Sequence, residues 1–197
     1  VIIKHILLDM DGVIADLQRA ICELLNKPEA LDTWPLGQWE IETGLGLPAI
    51  DIWDRIEDAG ESLWTDRIQP YPWTRELIAL VNETAPYTIA TIPTQDPCCA
   101  SGKLRWLYQH VRLGMRNHAF VPDKALMAKP TVVLIDDSDF NVRRFRGCGG
   151  WAILFPQRWN ANHHLCCIDR VEYVRREIDR IRHEISLRQE SPIEVTT

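Results

Sequence analysis

An apolar run ending in Ile6-Leu7-Leu8 delivers the chain directly into Asp9-Met10-Asp11-Gly12-Val13. The run reads as a buried strand of a parallel sheet, and Gly12 lets the backbone turn sharply at its carboxyl end. In open α/β sheets that end is where ligands bind. An ordinary strand followed by an Asp-Gly turn explains the segment equally well when it stands alone. A second apolar run, Val132-Val133-Leu134-Ile135, leads into Asp136-Asp137 in the same way. If the two strands are neighbours, four carboxylates converge. Crowded acids repel unless a cation or protons separate them, so the arrangement calls for a hard divalent metal with oxygen ligands.

Between these strands lies Tyr87-Thr88-Ile89-Ala90-Thr91-Ile92-Pro93, a strand ending at Thr91, whose hydroxyl suits an anion. Lys124 follows a short strand-like run at Ala119-Phe120-Val121, and Lys129 stands just before the second acidic strand. Either lysine can balance the carboxylates. Lys103 falls on a helix after the Thr91 loop and reads as a peripheral phosphate contact or a solvated lysine.

In this order the D-x-D, the Thr, the Lys and the acidic pair resemble the four motifs of the haloacid dehalogenase-like (HAD) phosphatase superfamily. The match narrows toward the 5'(3')-deoxyribonucleotidases through Asp9-Met10-Asp11-Gly12-Val13 followed by Ala15-Asp16, the Thr91-x-Pro93 turn and Leu134-Ile135-Asp136-Asp137. That resemblance implies a Mg²⁺-dependent phosphomonoesterase acting on (deoxy)nucleoside monophosphates. It assigns Asp9 as nucleophile, forming an aspartyl-phosphate, and Asp11 as general acid and then general base. Thr91 and the Ile92 amide would hold phosphate oxygens, with Lys124 preferred over Lys129 as the motif lysine. Mg²⁺ would lie on Asp9, the Asp11 carbonyl and one or both of Asp136 and Asp137. An acid at the position of Asp11 excludes the dehalogenases and P-type ATPases. Two departures stand out: the family has T-S-P where this chain has Thr91-Ile92-Pro93, and Ser138 replaces an arginine after the acidic pair. A lost neutral hydrogen bond to a charged group costs roughly 1.5–3 kcal/mol, tolerable while metal and lysine remain.

At 197 residues the chain suits one α/β core with a small insertion. Strands alternating with helices predict a doubly wound parallel sheet, of Rossmann type, with a small helical cap inserted after the first strand. The core would comprise residues 1–15 and 72–165, and the cap residues 16–71. Residues 166–190 would form a helix whose seam, Val171, Val174, Ile178, Ile181 and Ile185, packs on the core or, alternatively, on a second copy; 191–197 would be a tail. Helices are expected over Asp16 to Lys27, at the start of the cap, and within the core from Pro72, from Pro97 to about Gly114 and from Ser138 to about Arg146.

The cap carries Trp34, Trp39, Trp53 and Trp64. Each alone is ordinarily core, but as a group they suit stacking on a nucleobase. Trp53 aligns best with such a position by resemblance, Trp39 less well, and Leu17 falls where the family has a pocket phenylalanine.

A net charge of −6 argues against a stable nucleic-acid partner. No apolar run approaches the roughly 20 residues of a membrane span, and the N-terminal strand lacks a signal-peptide layout, so a cytoplasmic location is expected. The six cysteines, two adjacent pairs among them, suit reduced thiols. His163-His164-Leu165-Cys166-Cys167 has no second ligand pair at a zinc-finger spacing. Competing functions are hydrolysis of a sugar phosphate, another small phosphate or a nucleic-acid 3' phosphate, and, from another class, a non-catalytic binding module.

Overall fold

The computed structural model describes residues 2–112 and 117–190, so the tail and Gly114 lie outside it. Five parallel strands, β1 (His5–Leu8), β2 (Tyr87–Thr91), β3 (His118–Phe120), β4 (Val132–Asp136) and β5 (Trp151–Leu154), form one sheet in the order β3-β2-β1-β4-β5. The two acidic strands are therefore adjacent, with Leu8 paired to Ile135. The Asp9 amide donates to the Ile135 carbonyl at 2.9 Å, which extends the ladder into the carboxylates.

Alternation along the strands supplies both faces of the sheet with apolar cover. Ile6, Leu8, Val133, Ile135 and Ile153 enter one buried cluster; Leu7, Leu134, Ala152 and Leu154 enter a second on the opposite face.

Between β1 and α5 (Thr74–Thr84) the chain is helical throughout its regular structure: α1 (Leu17–Leu24), α2 (Ala30–Thr33), α3 (Ile41–Leu45), α4 (Ala49–Ala59) and a π-helical turn at Leu63–Arg67. Its buried side chains, Trp34, Leu45, Ile52, Leu63 and Trp64, join the same cluster as Ile6 and Leu8. The insertion thus shares the core rather than having one of its own.

Up to the last helix, helix starts fall at, or within two residues of, the positions that the sequence suggests. The Asp16 carboxylate accepts from the Arg19 amide, so α1 begins at Leu17. After Pro72 the helix waits for Thr74, whose hydroxyl donates to the Ile14 carbonyl at 2.6 Å. This anchors the turn after Gly12. Asp96 caps α6 (Pro97–His110), and Ser138 caps α7 (Asp139–Gly147).

The last helix, α8, runs Arg170–Glu190, four residues later than expected at its start. The Asp169 carboxylate accepts from the amides of Val171 and Glu172 and sets that start. Val171, Val174, Ile178, Ile181 and Ile185 are all buried in the main cluster, so the seam is filled by the chain itself. No helix among the described residues is long and apolar enough to cross a membrane.

Candidate active site

Asp9 leaves β1 with its carboxylate buried. Its Oδ1 accepts from the Met10 amide at 2.7 Å and lies 2.6 Å from Lys124 Nζ. Lys124, 2 % exposed, also donates to Asp136 Oδ2 at 2.6 Å. The structure thus brings Lys124 to the carboxylates, by a 3₁₀ turn (Lys124–Met127) that Asp123 caps. Among the described residues, Lys129 makes no ion pair with these carboxylates.

Asp136 is saturated. Its Oδ1 accepts from the Ser138 amide at 2.9 Å and from Asn141 Nδ2, which reaches both oxygens at 3.2 Å. Asp137 instead lines a cavity of about 200 Å³, together with Asp9, Asp11, Leu17, Gln18, Trp39, Thr91, Ile92, Lys124, Ser138 and Asn141. Its Oδ2 accepts from Trp159 Nε1 at 2.8 Å, and its carbonyl from Asn160 Nδ2 at 2.8 Å. Gln157 Nε2 donates to the Gly12 carbonyl, tying the loop after β5 to the loop after β1. Gly12 has φ +72°, and a Cβ there would lie 2.0 Å from Asp137 Oδ2. Only glycine allows this turn beside that carboxylate.

Burial dominates the electrostatics. It raises Asp9 to about 7, with Lys124 opposing and Asp136 and Asp11 adding to the rise. Asp137 is raised well above its ordinary value, by burial first and then by Asp9 and Asp136. Burial works against the Lys124 charge, but Asp9 and Asp136 together outweigh it and hold the ammonium above its usual value.

Ligand oxygens of Asp9, Asp136 and Asp137 all lie within 4.8 Å of one another. With one lysine among three carboxylates, this all-oxygen set fits a hard divalent cation. Asp137 and Asp9 face the cavity, whereas Asp136 spends its oxygens on Lys124, Ser138 and Asn141.

The remaining predicted residues divide. Thr91 is buried at the end of β2, and Ile92 forms part of the cavity wall. Leu17 and Trp39 line the cavity, Trp39 being 47 % exposed. Trp53 does not line it. On α4 the buried positions are Ile52 and Ile56, so the phase of the helix turns Trp53 outward, 44 % exposed. Trp34 and Trp64 are core. Lys103 is neither solvated nor peripheral: its Nζ donates to Asp11 Oδ2 and, at 2.7 Å, to Thr91 Oγ1. Its position on the face of Cys99, Trp106 and Leu107 was the signal available for burial. Gln18, Asn141, Gln157, Trp159 and Asn160 carried no periodic signal. Wider surface depressions, of about 640 and 660 Å³, are lined by residues such as Arg143 and Tyr173, or Pro86 and Asn117, and Asp9, Asp11, Thr91, Lys124 and Asp137 line neither of them.

A parallel sheet whose adjacent strand ends present Asp9 and the Asp136-Asp137 pair, with Thr91 and a buried lysine alongside, defines a haloacid dehalogenase-like phosphatase. Residues 2–182 match the family described as 5' nucleotidase, deoxy (pyrimidine), cytosolic type C, and the chain belongs to that family. It is a hydrolase of phosphate monoesters, related to the 5'-nucleotidases. No curated protein matches it. Among solved structures, it is similar to a HAD family hydrolase from Deinococcus radiodurans R1 with bound phosphate and sodium. The TM-score is 0.58 at 15 % identity, over 91 % of this chain and 96 % of that one. It is also similar to a haloacid dehalogenase-like family hydrolase from Xanthomonas campestris, with TM-score 0.54 at 13 % identity, over 92 % and 94 %. At such identities these likenesses concern the fold.

Proposed function

We propose that the chain hydrolyses (deoxy)nucleoside monophosphates through an aspartyl-phosphate on Asp9, with Mg²⁺ as its metal. The observation that carries this reading is the meeting of Asp9, Asp11, Thr91, Lys124 and Asp137 around one small cavity. Phosphoryl transfer needs in-line attack and neutralisation of charge on the phosphate oxygens. Asp9, held by the Met10 amide and Lys124, attacks phosphorus; the P–O bond to the nucleoside breaks, and Asp11 gives its proton to the departing alkoxide. Asp11, now a carboxylate, takes a proton from the water that hydrolyses the aspartyl-phosphate. Asp9 is thereby regenerated and phosphate leaves.

Asp9, Asp137 and the Asp11 carbonyl would hold Mg²⁺, with Asp136 orienting Lys124 beside them. When bound, the ion supplies Lewis-acid stabilisation of phosphate oxygens and offsets repulsion between nucleophile and substrate. Lys124, the Thr91 hydroxyl and the Ile92 amide neutralise or hydrogen-bond the remaining oxygens.

Residues 16–71 act as the cap. A cavity of about 200 Å³ suits a phosphate and sugar, leaving the base at the mouth beside exposed Trp39 and Ile92. Stacking there is sequence-tolerant, because every base has a π-face. Phosphate release from nucleoside 5'- and 3'-monophosphates and from sugar phosphates, with Mg²⁺ or with chelator, tests this. Mg²⁺-dependent release from the nucleotides is expected. Release confined to sugar phosphates contradicts the nucleotide assignment, and release from no substrate contradicts catalysis.

A further inference from the structure

Lys103 is 1 % exposed, on the inner face of α6. An ammonium has three N–H donors. Three acceptors meet them: Asp11 Oδ2, Thr91 Oγ1 at 2.7 Å and the Ile92 carbonyl at 3.0 Å. The indole of Trp64, from the π-helical turn of the insertion, covers the ammonium with its ring centroid 4.9 Å from Nζ. That packing needs Gly102, where a Cβ would lie 2.6 Å from the Trp64 side chain. With its donors used and its open side covered by an aromatic ring, this ammonium has none left for a phosphate oxygen.

Asp11 is otherwise lightly held. Thr91 Oγ1 stands 3.5 Å from the same Oδ2, too long to orient it, and Asp11 Oδ1 is buried with no hydrogen-bond partner. The ion pair to Lys103 is therefore what fixes the rotamer. An acid must sit within hydrogen-bond reach of the oxygen it protonates, and a misplacement of about 1 Å costs on the order of 10²-fold in rate. The two buried lysines divide the carboxylates between them: Lys124 bridges Asp9 and Asp136, and Lys103 holds Asp11.

We infer that Lys103 is a positioning residue that fixes the Asp11 carboxyl, through Oδ2, for proton transfer to the leaving oxygen, and that it does so without touching substrate. Lys103 keeps its own proton throughout; the proton moved is that of Asp11. The inference rests on Asp11 being the acid–base group proposed above.

The test is single-turnover release of the leaving group by the full chain with Mg²⁺, from a nucleoside 5'-monophosphate and from p-nitrophenyl phosphate, whose phenolate leaves without needing a proton. Lys103→Met should slow nucleoside release on the order of 10²-fold and nitrophenolate release by less than about 10-fold, with substrate affinity near that of the wild type. In an Asp11→Asn background, adding Lys103→Met should slow nucleoside release by less than about 2-fold, because the residue it acts through is already gone. Lys103→Arg should recover part of the rate.

Equal losses on the two substrates, a general loss of affinity, or a full additional loss in the Asp11→Asn background would overturn the inference, as would wild-type rates in Lys103→Met. If Lys103→Met fails to fold, as thermal unfolding would show, Lys103→Gln and Lys103→Arg carry the same comparison. Wild-type nucleoside release by Asp11→Asn alone would instead contradict the assignment of Asp11.

Discussion

Lys124 Nζ stands 2.6 Å from both Asp9 Oδ1 and Asp136 Oδ2, bridging the ends of the two adjacent acidic strands. The lysine thus joins a carboxylate proposed to react with one whose oxygens are otherwise spent on structure. Removing it leaves two buried carboxylates uncompensated. Lys124→Met is expected to destabilise the fold by about 3–5 kcal/mol and to abolish phosphate release. Urea unfolding together with a phosphate assay checks both, and an unchanged unfolding midpoint would contradict the bridge.

Gly12 is the point at which the turn after β1 passes Asp137. Alanine there meets both a left-handed backbone and the Asp137 carboxylate. Gly12→Ala is expected to lower stability by about 1–3 kcal/mol and turnover on the order of 10²-fold, because Asp137 must move. Calorimetry and steady-state kinetics measure the two losses, and a wild-type rate in this variant would show that Asp137 can shift without consequence.

The acids predict a pH dependence of stability in the metal-free protein. Asp9 rises from 3.8 to about 7 on folding, and Asp137 moves the same way. Between those values the folded chain holds protons that the unfolded chain has lost, so the stability this contributes is present at low pH and declines as pH rises toward about 7. The metal-free melting temperature should carry this decline, and Asp9→Asn should reduce its slope. Ligands must be deprotonated to bind metal, so Mg²⁺ should raise the melting temperature more at about pH 8 than at about pH 5. Stabilisation by Mg²⁺ that is greater at the lower pH would contradict this account.

The cap tryptophans separate by position. Trp39 lines the cavity and Trp53 does not, so Trp39→Ala should weaken nucleotide binding by about 1–3 kcal/mol, read as KM, while Trp53→Ala leaves it unchanged. The reverse result would restore the assignment suggested by the local sequence around Trp53.

That contrast shows where sequence was sufficient. Asp9 and Asp136-Asp137 were legible because apolar strands run straight into them, and a parallel sheet brings such strand ends together. Lys124 needed the resemblance to be preferred over Lys129, since spacing alone allowed either. Resemblance ranked Trp53 above Trp39, but the phase of α4, which Ile52 and Ile56 set, turns Trp53 outward, and it is Trp39 that lines the cavity. Lys103 read as a peripheral phosphate contact or a solvated lysine because a lysine is ordinarily exposed; its place on the buried face of α6 and its acceptors on Asp11, Thr91 and Ile92 account for its burial. Gln157, Trp159 and Asn160 lie on an irregular loop, whose contacts to Gly12 and Asp137 depend on tertiary packing that no local period records. The insertion was legible from its position and composition, but not its sharing of the main core.

The central claim is that Asp9 carries the phosphoryl group. Acid quenching of the full chain during turnover of a nucleoside monophosphate, followed by proteolysis and mass spectrometry, tests it most directly. The account predicts an acid-stable acyl-phosphate on the peptide containing Asp9, absent from an Asp9→Asn variant that folds normally but releases no phosphate. A phosphoryl group on another residue, or wild-type turnover by Asp9→Asn, would contradict it.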